Sequence, residues 1–66
     1  MTKAEMYDIL RECVKMKEVE REHTKRLGLA ENTEEYSQRK HDETVYCMAI
    51  DDVEYMLRGF IKFCGD

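Results

Sequence analysis

The order of signals between Lys25 and Glu35 constrains the fold more than any other feature of the chain. Lys25 and Arg26 precede Gly28, and cations followed by a glycine are typical of a helix C-terminus. Asn32 follows closely and can cap a new helix, with Glu35 at its third position. A stop followed so soon by a start predicts two helices joined by a short turn, and such helices pack antiparallel.

The residues on both sides of this turn favour helix. The 66-residue chain has no proline and 39% charged residues, and its composition is dominated by helix formers. At its start, Thr2 and Glu5 form a T-x-x-E capping box, so a helix should begin directly after Thr2. We predict an all-α fold, an antiparallel two-helix hairpin in a single domain, with a helix over about 3–27, a turn over about 28–32 and a helix over about 33–64.

Apolar residues follow helical spacing in both segments. In the first segment the apolar residues form a row with a seven-residue repeat, which moves slowly around the helix and favours coiled-coil-like packing. Glu20 interrupts this row. The row consists of Met6, Ile9, Leu10, Cys13, Met16, His23 and Leu27. The second segment is polar before Val45 and strongly apolar after it.

A turn at this place fixes an expected register. Residue i of the first helix should face residue 60 − i of the second, which brings Met6 close to Val53. The second helix then extends beyond the first, so Phe60, Ile61, Phe63 and Cys64 should lack cover within the hairpin.

The apolar surface of the second helix is broader than one hairpin can cover. Its apolar residues fan across roughly 140° of the helix, whereas one partner helix covers a narrow seam. We therefore predict a homodimer that forms a four-helix bundle, with a helical segment of another protein as the alternative partner. The expected dimer or partner interface comprises Met6, Ile9, Leu10, Cys13, Tyr46, Ile50, Val53, Leu57, Phe60, Ile61 and Cys64.

One short motif is compatible with metal binding. Glu20 and His23 form an E-x-x-H pair, which puts a carboxylate and an imidazole on one helix face, as in carboxylate-bridged di-metal bundles. The same spacing arises by chance in a glutamate-rich helix, and we expect neither a metal nor a cofactor. Cys13, Cys47 and Cys64 lie far apart, which indicates reduced thiols in the cytoplasm rather than a zinc site or a disulfide framework.

Catalytic and membrane functions find no support in the sequence. The chain has neither a glycine-rich phosphate loop nor a nucleophile paired with a base, so we expect no catalytic residues and no enzyme. Its apolar runs are too short for a membrane span. The leading expectation is a cytoplasmic, non-enzymatic protein–protein interaction or regulatory module that acts as a homodimer.

A basic ridge on the first helix supports an alternative function, RNA binding. Positive and aromatic residues at three- and four-residue steps can grip RNA phosphates despite the net charge of −4. The candidate nucleic-acid contacts are Lys3, Tyr7, Arg11, Lys17, Arg21 and Lys25, with Val14 between them. A solvated face with intrahelical ion pairs explains the same pattern.

In its length, its two helices, its short turn, its opening "MTKAE" and its closing "FCGD", the chain resembles the plasmid copy-control RNA-binding hairpins of the Rop kind. The resemblance implies a hairpin that dimerises and contacts RNA. Leu10, Val14 and Glu18 stand where that family carries polar and aromatic RNA contacts, so no functional residue is carried over.

Overall fold

The computed structural model describes residues 1–64 and contains two packed helices. Helix α1 spans Lys3–Leu27, helix α2 spans Glu34–Phe63, and no strand occurs within the described range. The hairpin is 49 Å long and 16 Å across. The predicted all-α hairpin is thereby confirmed.

Both ends of α1 are capped as the sequence predicts. The Thr2 hydroxyl accepts a hydrogen bond from the Glu5 amide at 3.1 Å, and the Glu5 carboxylate accepts one from the Thr2 amide at 3.0 Å. At the other end Gly28 has a φ of 61°, and its amide donates to the Lys25 carbonyl. A left-handed residue is favourable only for glycine, so Gly28 fixes where α1 stops.

The cap of α2 differs from the expectation. Thr33, not Asn32, is the N-cap, because its hydroxyl accepts a hydrogen bond from the Tyr36 amide at 3.2 Å. The same hydroxyl donates to the Ala30 carbonyl at 2.7 Å, which ties the cap to the turn. Helix α2 therefore begins at Glu34, one residue later than predicted, and the turn is one residue longer.

This cap makes a testable prediction about stability. Replacing Thr33 with alanine should lower the free energy of unfolding by about 1 kcal/mol, because the Tyr36 amide loses its acceptor. The matched control is Asn32→Ala, which should change that free energy by less than about 0.5 kcal/mol. Chemical unfolding followed by circular dichroism measures both. A larger loss for Asn32→Ala would restore Asn32 as the cap.

The two helices meet along a seam with a seven-residue repeat. Its positions alternate in steps of three and four on each helix, as in an antiparallel coiled coil. All of them are buried or half-buried. The seam residues of α1 are Met6, Leu10, Cys13, Lys17, Glu20 and Thr24, and those of α2 are Glu43, Cys47, Ile50, Glu54, Leu57 and Ile61.

The apolar core lies at the open end of the hairpin. Met6 forms a cluster with Leu57 and Ile61, against which Ile9 and Leu10 pack. The expected register, which placed Met6 beside Val53, is therefore wrong by about one helical turn. The expectation that Ile61 lacks cover is also wrong, since it is buried by α1.

Towards the turn the seam becomes polar. The Arg39 guanidinium donates to the Thr24 hydroxyl at 3.0 Å and pairs with the Glu20 carboxylate. Further along, Lys17 pairs with Asp51 at 2.7 Å and with Glu54. Glu20 therefore does not interrupt the helix contact, as the sequence analysis held, but is part of it.

Candidate interaction surface

Helix α2 carries a second apolar row outside the seam. The row advances in steps of three and four, so it follows a seven-residue repeat of its own. We call it the apolar stripe, and it consists of Tyr46, Ala49, Val53, Met56, Phe60 and Phe63. Tyr46 is half-buried and the other five are exposed, which leaves the stripe without a partner helix among the described residues.

Two ion pairs show on which side of the seam the stripe lies. Arg39 precedes Tyr46 by seven residues, so both occupy the same row of α2, and Arg39 reaches Glu20 across the seam. Asp51 lies in the row on the other side of the seam and reaches Lys17. The hairpin therefore has two distinct flanks, and the apolar stripe belongs to the flank of the Arg39–Glu20 pair.

Helix α1 contributes to the same flank. Ile9 and Met16 lie in the row next to the seam row that contains Glu20, and antiparallel pairing brings this row beside that of Arg39. Ile9 is half-buried against the core cluster, and Met16 is exposed. Together with the apolar stripe, Ile9 and Met16 form a continuous surface that we call the apolar flank.

Exposed apolar residues elsewhere are interrupted by charge. On the opposite flank Met48 is 60% exposed, similar to Met56 at 58%, and the exposed Tyr55 follows it in the same row. That row ends at Lys62, and the rows on either side of it contain Asp51 and Asp52. Scattered apolar residues are normal on protein surfaces, whereas a continuous apolar face marks a binding surface. The apolar flank is therefore the candidate functional site.

The structure divides the predicted interface residues between two places. Six lie in the seam of the hairpin itself: Met6, Leu10, Cys13, Ile50, Leu57 and Ile61. Four lie on the apolar flank: Ile9, Tyr46, Val53 and Phe60. Cys64 is exposed just beyond α2. The predicted set of interface residues omitted Met16, Ala49, Met56 and Phe63, although Phe63 was expected to lack cover. A count of three- and four-residue steps from Tyr46 finds all but Met16.

The two weak metal candidates have different surroundings. The Glu20 carboxylate forms an ion pair with Arg39, and His23 is exposed. Among residues 1–64 no three histidine, cysteine, aspartate or glutamate side chains converge to hold an ion. The E-x-x-H pair is thus explained by the seam, where Glu20 acts as an ion-pair partner.

The basic ridge is interrupted at its centre. Lys17, one of its candidate contacts, lies in the seam with a side chain only 15% exposed and with two carboxylate partners. Those partners raise the pKa of Lys17, first through Asp51 and then through Glu54. Arg11 pairs with Asp8. Tyr7, Arg21 and Lys25 remain exposed on the ridge and Lys3 is half-buried, so the structure offers RNA a shorter cationic strip than the sequence suggested.

Glu43 is a buried carboxylate whose ionisation is coupled to folding. The polar Thr24 hydroxyl beside it, and then the charge of Lys40, lower the pKa of Glu43 below its ordinary value. Because the folded pKa is lowered, ionised Glu43 stabilises the hairpin at neutral pH, and this contribution disappears as the pH falls through the folded pKa.

A pH titration tests this coupling. Wild type and Glu43→Gln should differ most in their free energy of unfolding at neutral pH, because glutamine stays neutral throughout. The difference should shrink as the pH is lowered past about 4.5, the ordinary pKa of glutamate. A difference that is constant over this range would show that Glu43 titrates equally in both states.

No helix within the described part of the chain is long and apolar enough to cross a membrane. Comparison with known proteins finds no match: no protein-family model, no curated protein and no solved structure is significantly similar to the chain. The function is therefore inferred from the hairpin's own surface.

Proposed function

We propose that the protein is a small, non-enzymatic interaction and regulatory module that works as a homodimer, in which two hairpins associate through their apolar flanks into a four-helix bundle. The observation that carries the proposal is the apolar stripe: a helix that already packs on α1 presents a second apolar repeat to the solvent. A helix with two such repeats is typical of bundles with more than two helices.

The small core of the hairpin supports association. Only five apolar residues are buried in the described chain, and none is fully buried. Chains of this size are marginal without oligomerisation, a metal or disulfides. Covering Val53, Met56 and Phe60 with a partner contributes on the order of 1.5–3 kcal/mol for each side chain that becomes fully buried. Folding and association should therefore be coupled.

The mode of action follows from this architecture. We expect a bundle made of two hairpins to act by presenting a surface to another molecule, because its side chains serve packing and ion pairing. The apolar flank is used within the dimer. The polar halves of the hairpins near the turns, which include the Gly28 turn and the exposed Arg21 and Lys25, stay available to a further partner.

Light scattering after size-exclusion chromatography tests the proposal. We expect a particle of two chains, each of 7.9 kDa, at micromolar concentrations, with helicity that falls as the sample is diluted. A well-folded particle of one chain that binds no hydrophobic dye would overturn the proposal.

A further inference from the structure

The apolar stripe is self-complementary in one orientation. Its steps of three, four, three, four and three residues read the same in both directions. We propose that a second copy of this chain covers the stripe with its own α2 in antiparallel orientation, about a two-fold axis between Val53 and Met56. This inference rests on the proposed homodimer and adds the helix, the direction and the register through which it forms.

Side-chain size favours the antiparallel orientation. About this axis Ala49 lies opposite Phe60 of the second copy, and Tyr46 lies opposite Phe63. A small residue opposite a large one lets the two rows interdigitate. In a parallel, in-register pair each residue would face itself, so that Ala49 would leave a gap and Phe60 would crowd its copy.

Gly59 is a further feature that fits this orientation. Asp52 and Gly59 lie in the row that borders the stripe. In the antiparallel pair this row faces the same row of the second copy, which brings Asp52 near Gly59. A side-chain carbon added at Gly59 would meet nothing within the hairpin, so the hairpin itself does not require glycine there. The close approach of a second helix would account for a glycine at position 59.

Pairing through α2 is also the arrangement that covers most apolar surface. On α1 the same side offers Ile9, Met16 and Val19, but Glu5 and Glu12 lie in the row of Val19 and interrupt it. If α1 of one copy covered the stripe of the other, α2 residues such as Phe60 and Val53 would face Glu5 and Glu12. When α2 packs against α2 of the second copy, the six apolar residues of one stripe meet the six of the other.

The register predicts the shape of the dimer. The stripe lies in the half of the hairpin near its open end, so the two α2 helices overlap over about 26 Å at 1.5 Å per residue. The polar halves near the turns project from opposite ends. The dimer should therefore be about 70 Å long at that rise, against 49 Å for one hairpin.

The area of this contact suffices for a specific dimer. A face as wide as both helices of the hairpin, 16 Å, in which α1 lies beside α2, and about 26 Å long has a flat footprint of about 400 Å² on each chain. Two such faces with relief from their side chains remove on the order of 1,000 Å² of accessible surface, the lower bound for a specific interface.

Two measurements on the 66-residue chain test the inference together. Small-angle X-ray scattering should give a maximum dimension of about 70 Å for the dimer. A spin label on the exposed Cys64, with Cys13 and Cys47 protected by burial, should report a separation of about 28 Å or more, because the two Cys64 lie at opposite ends of the overlap.

Other outcomes are distinguishable. A dimer about 50 Å long, or labels closer than about 15 Å, means in-register or parallel hairpins, which overturns this inference and leaves the homodimer intact. A chain that stays monomeric overturns the proposed function as well.

A glycine substitution adds an independent readout. Gly59→Ala should weaken dimerisation at least tenfold if a second helix approaches Gly59, while Ala49→Gly, which adds no bulk, should weaken it less. Tighter association of Gly59→Ala would contradict the close approach, because alanine merely improves the helix when nothing faces it.

Discussion

Replacing Met56 with glutamate is expected to weaken association of the chain at least 100-fold. Met56 lies in the middle of the apolar stripe and is exposed in the single hairpin, so a glutamate there leaves the hairpin folded. In the dimer the substitution removes an apolar contact worth roughly 1.5–3 kcal/mol. It also buries a carboxylate near its copy across the two-fold axis, which adds a desolvation cost. Sedimentation velocity over a dilution series measures the change.

Met48→Glu is the matched control. Met48 is the same residue type, lies on the same helix and is equally exposed, but belongs to the opposite flank. Its replacement adds the same charge and should change the dissociation constant by less than about threefold, since exposed charges interact weakly. Equal effects of the two variants would mean that association follows net charge rather than the apolar flank.

Replacing Arg39 with methionine is expected to lower the free energy of unfolding by about 2 kcal/mol. The guanidinium pairs with Glu20 and bonds to Thr24 inside the seam, where both charged side chains are largely covered. Its loss leaves the Glu20 carboxylate desolvated without a cation. Chemical unfolding at one fixed chain concentration measures the effect, because association also contributes to stability.

The double variant separates the ion pair from the packing. Arg39→Met combined with Glu20→Leu should recover most of the lost stability, since an apolar pair replaces a charged one in the same seam positions. Gln38→Met, on the exposed neighbour of Arg39, should leave stability within about 0.5 kcal/mol. If the double variant were as unstable as Arg39→Met, the loss would come from the shape of the methionine and not from the unpaired carboxylate.

The local signals of the sequence predicted the helices well. The Thr2 capping box and Gly28 involve backbone groups a few residues away, so the sequence nearby determines them. Asn32 and Thr33 are both good caps, and the choice between them depends on the Ala30 carbonyl, which only the folded turn brings to the Thr33 hydroxyl. The register of the two helices depends on which seam residues meet, and a one-residue change in the turn is too small to explain the shift of about one helical turn.

The interface was harder to predict because the seam is partly polar. The sequence analysis assumed that the residues of α1 that face α2 are apolar. Glu20 was therefore interpreted as an interruption of the contact, and Lys17 as part of a solvated ridge. Both lie in the seam because each finds an opposite charge on α2, Arg39 for Glu20 and Glu54 for Lys17. Such pairing depends on the register between the helices, which the sequence did not determine.

Because the sequence does not determine the register, the sequence analysis treated two rows of α2 as one broad apolar face. Leu57 and Phe60 are both apolar and lie on neighbouring rows, yet Leu57 is buried against α1 and Phe60 is exposed. Only the position of α1 separates the seam from the apolar stripe. The breadth of apolar surface was predictable from the sequence, and its division between folding and association was not.

The most direct test of the central claim is oxidative footprinting of the unmodified chain at a series of concentrations. Met56 and Met48 are equally exposed in the single hairpin and serve as internal probes of the two flanks. We predict that the rate of Met56 oxidation falls at least fivefold as the chain is concentrated through its dimerisation midpoint, while the rate for Met48 stays constant. Equal and unchanging oxidation of both residues in a folded chain would contradict the claim that a second copy covers the apolar flank.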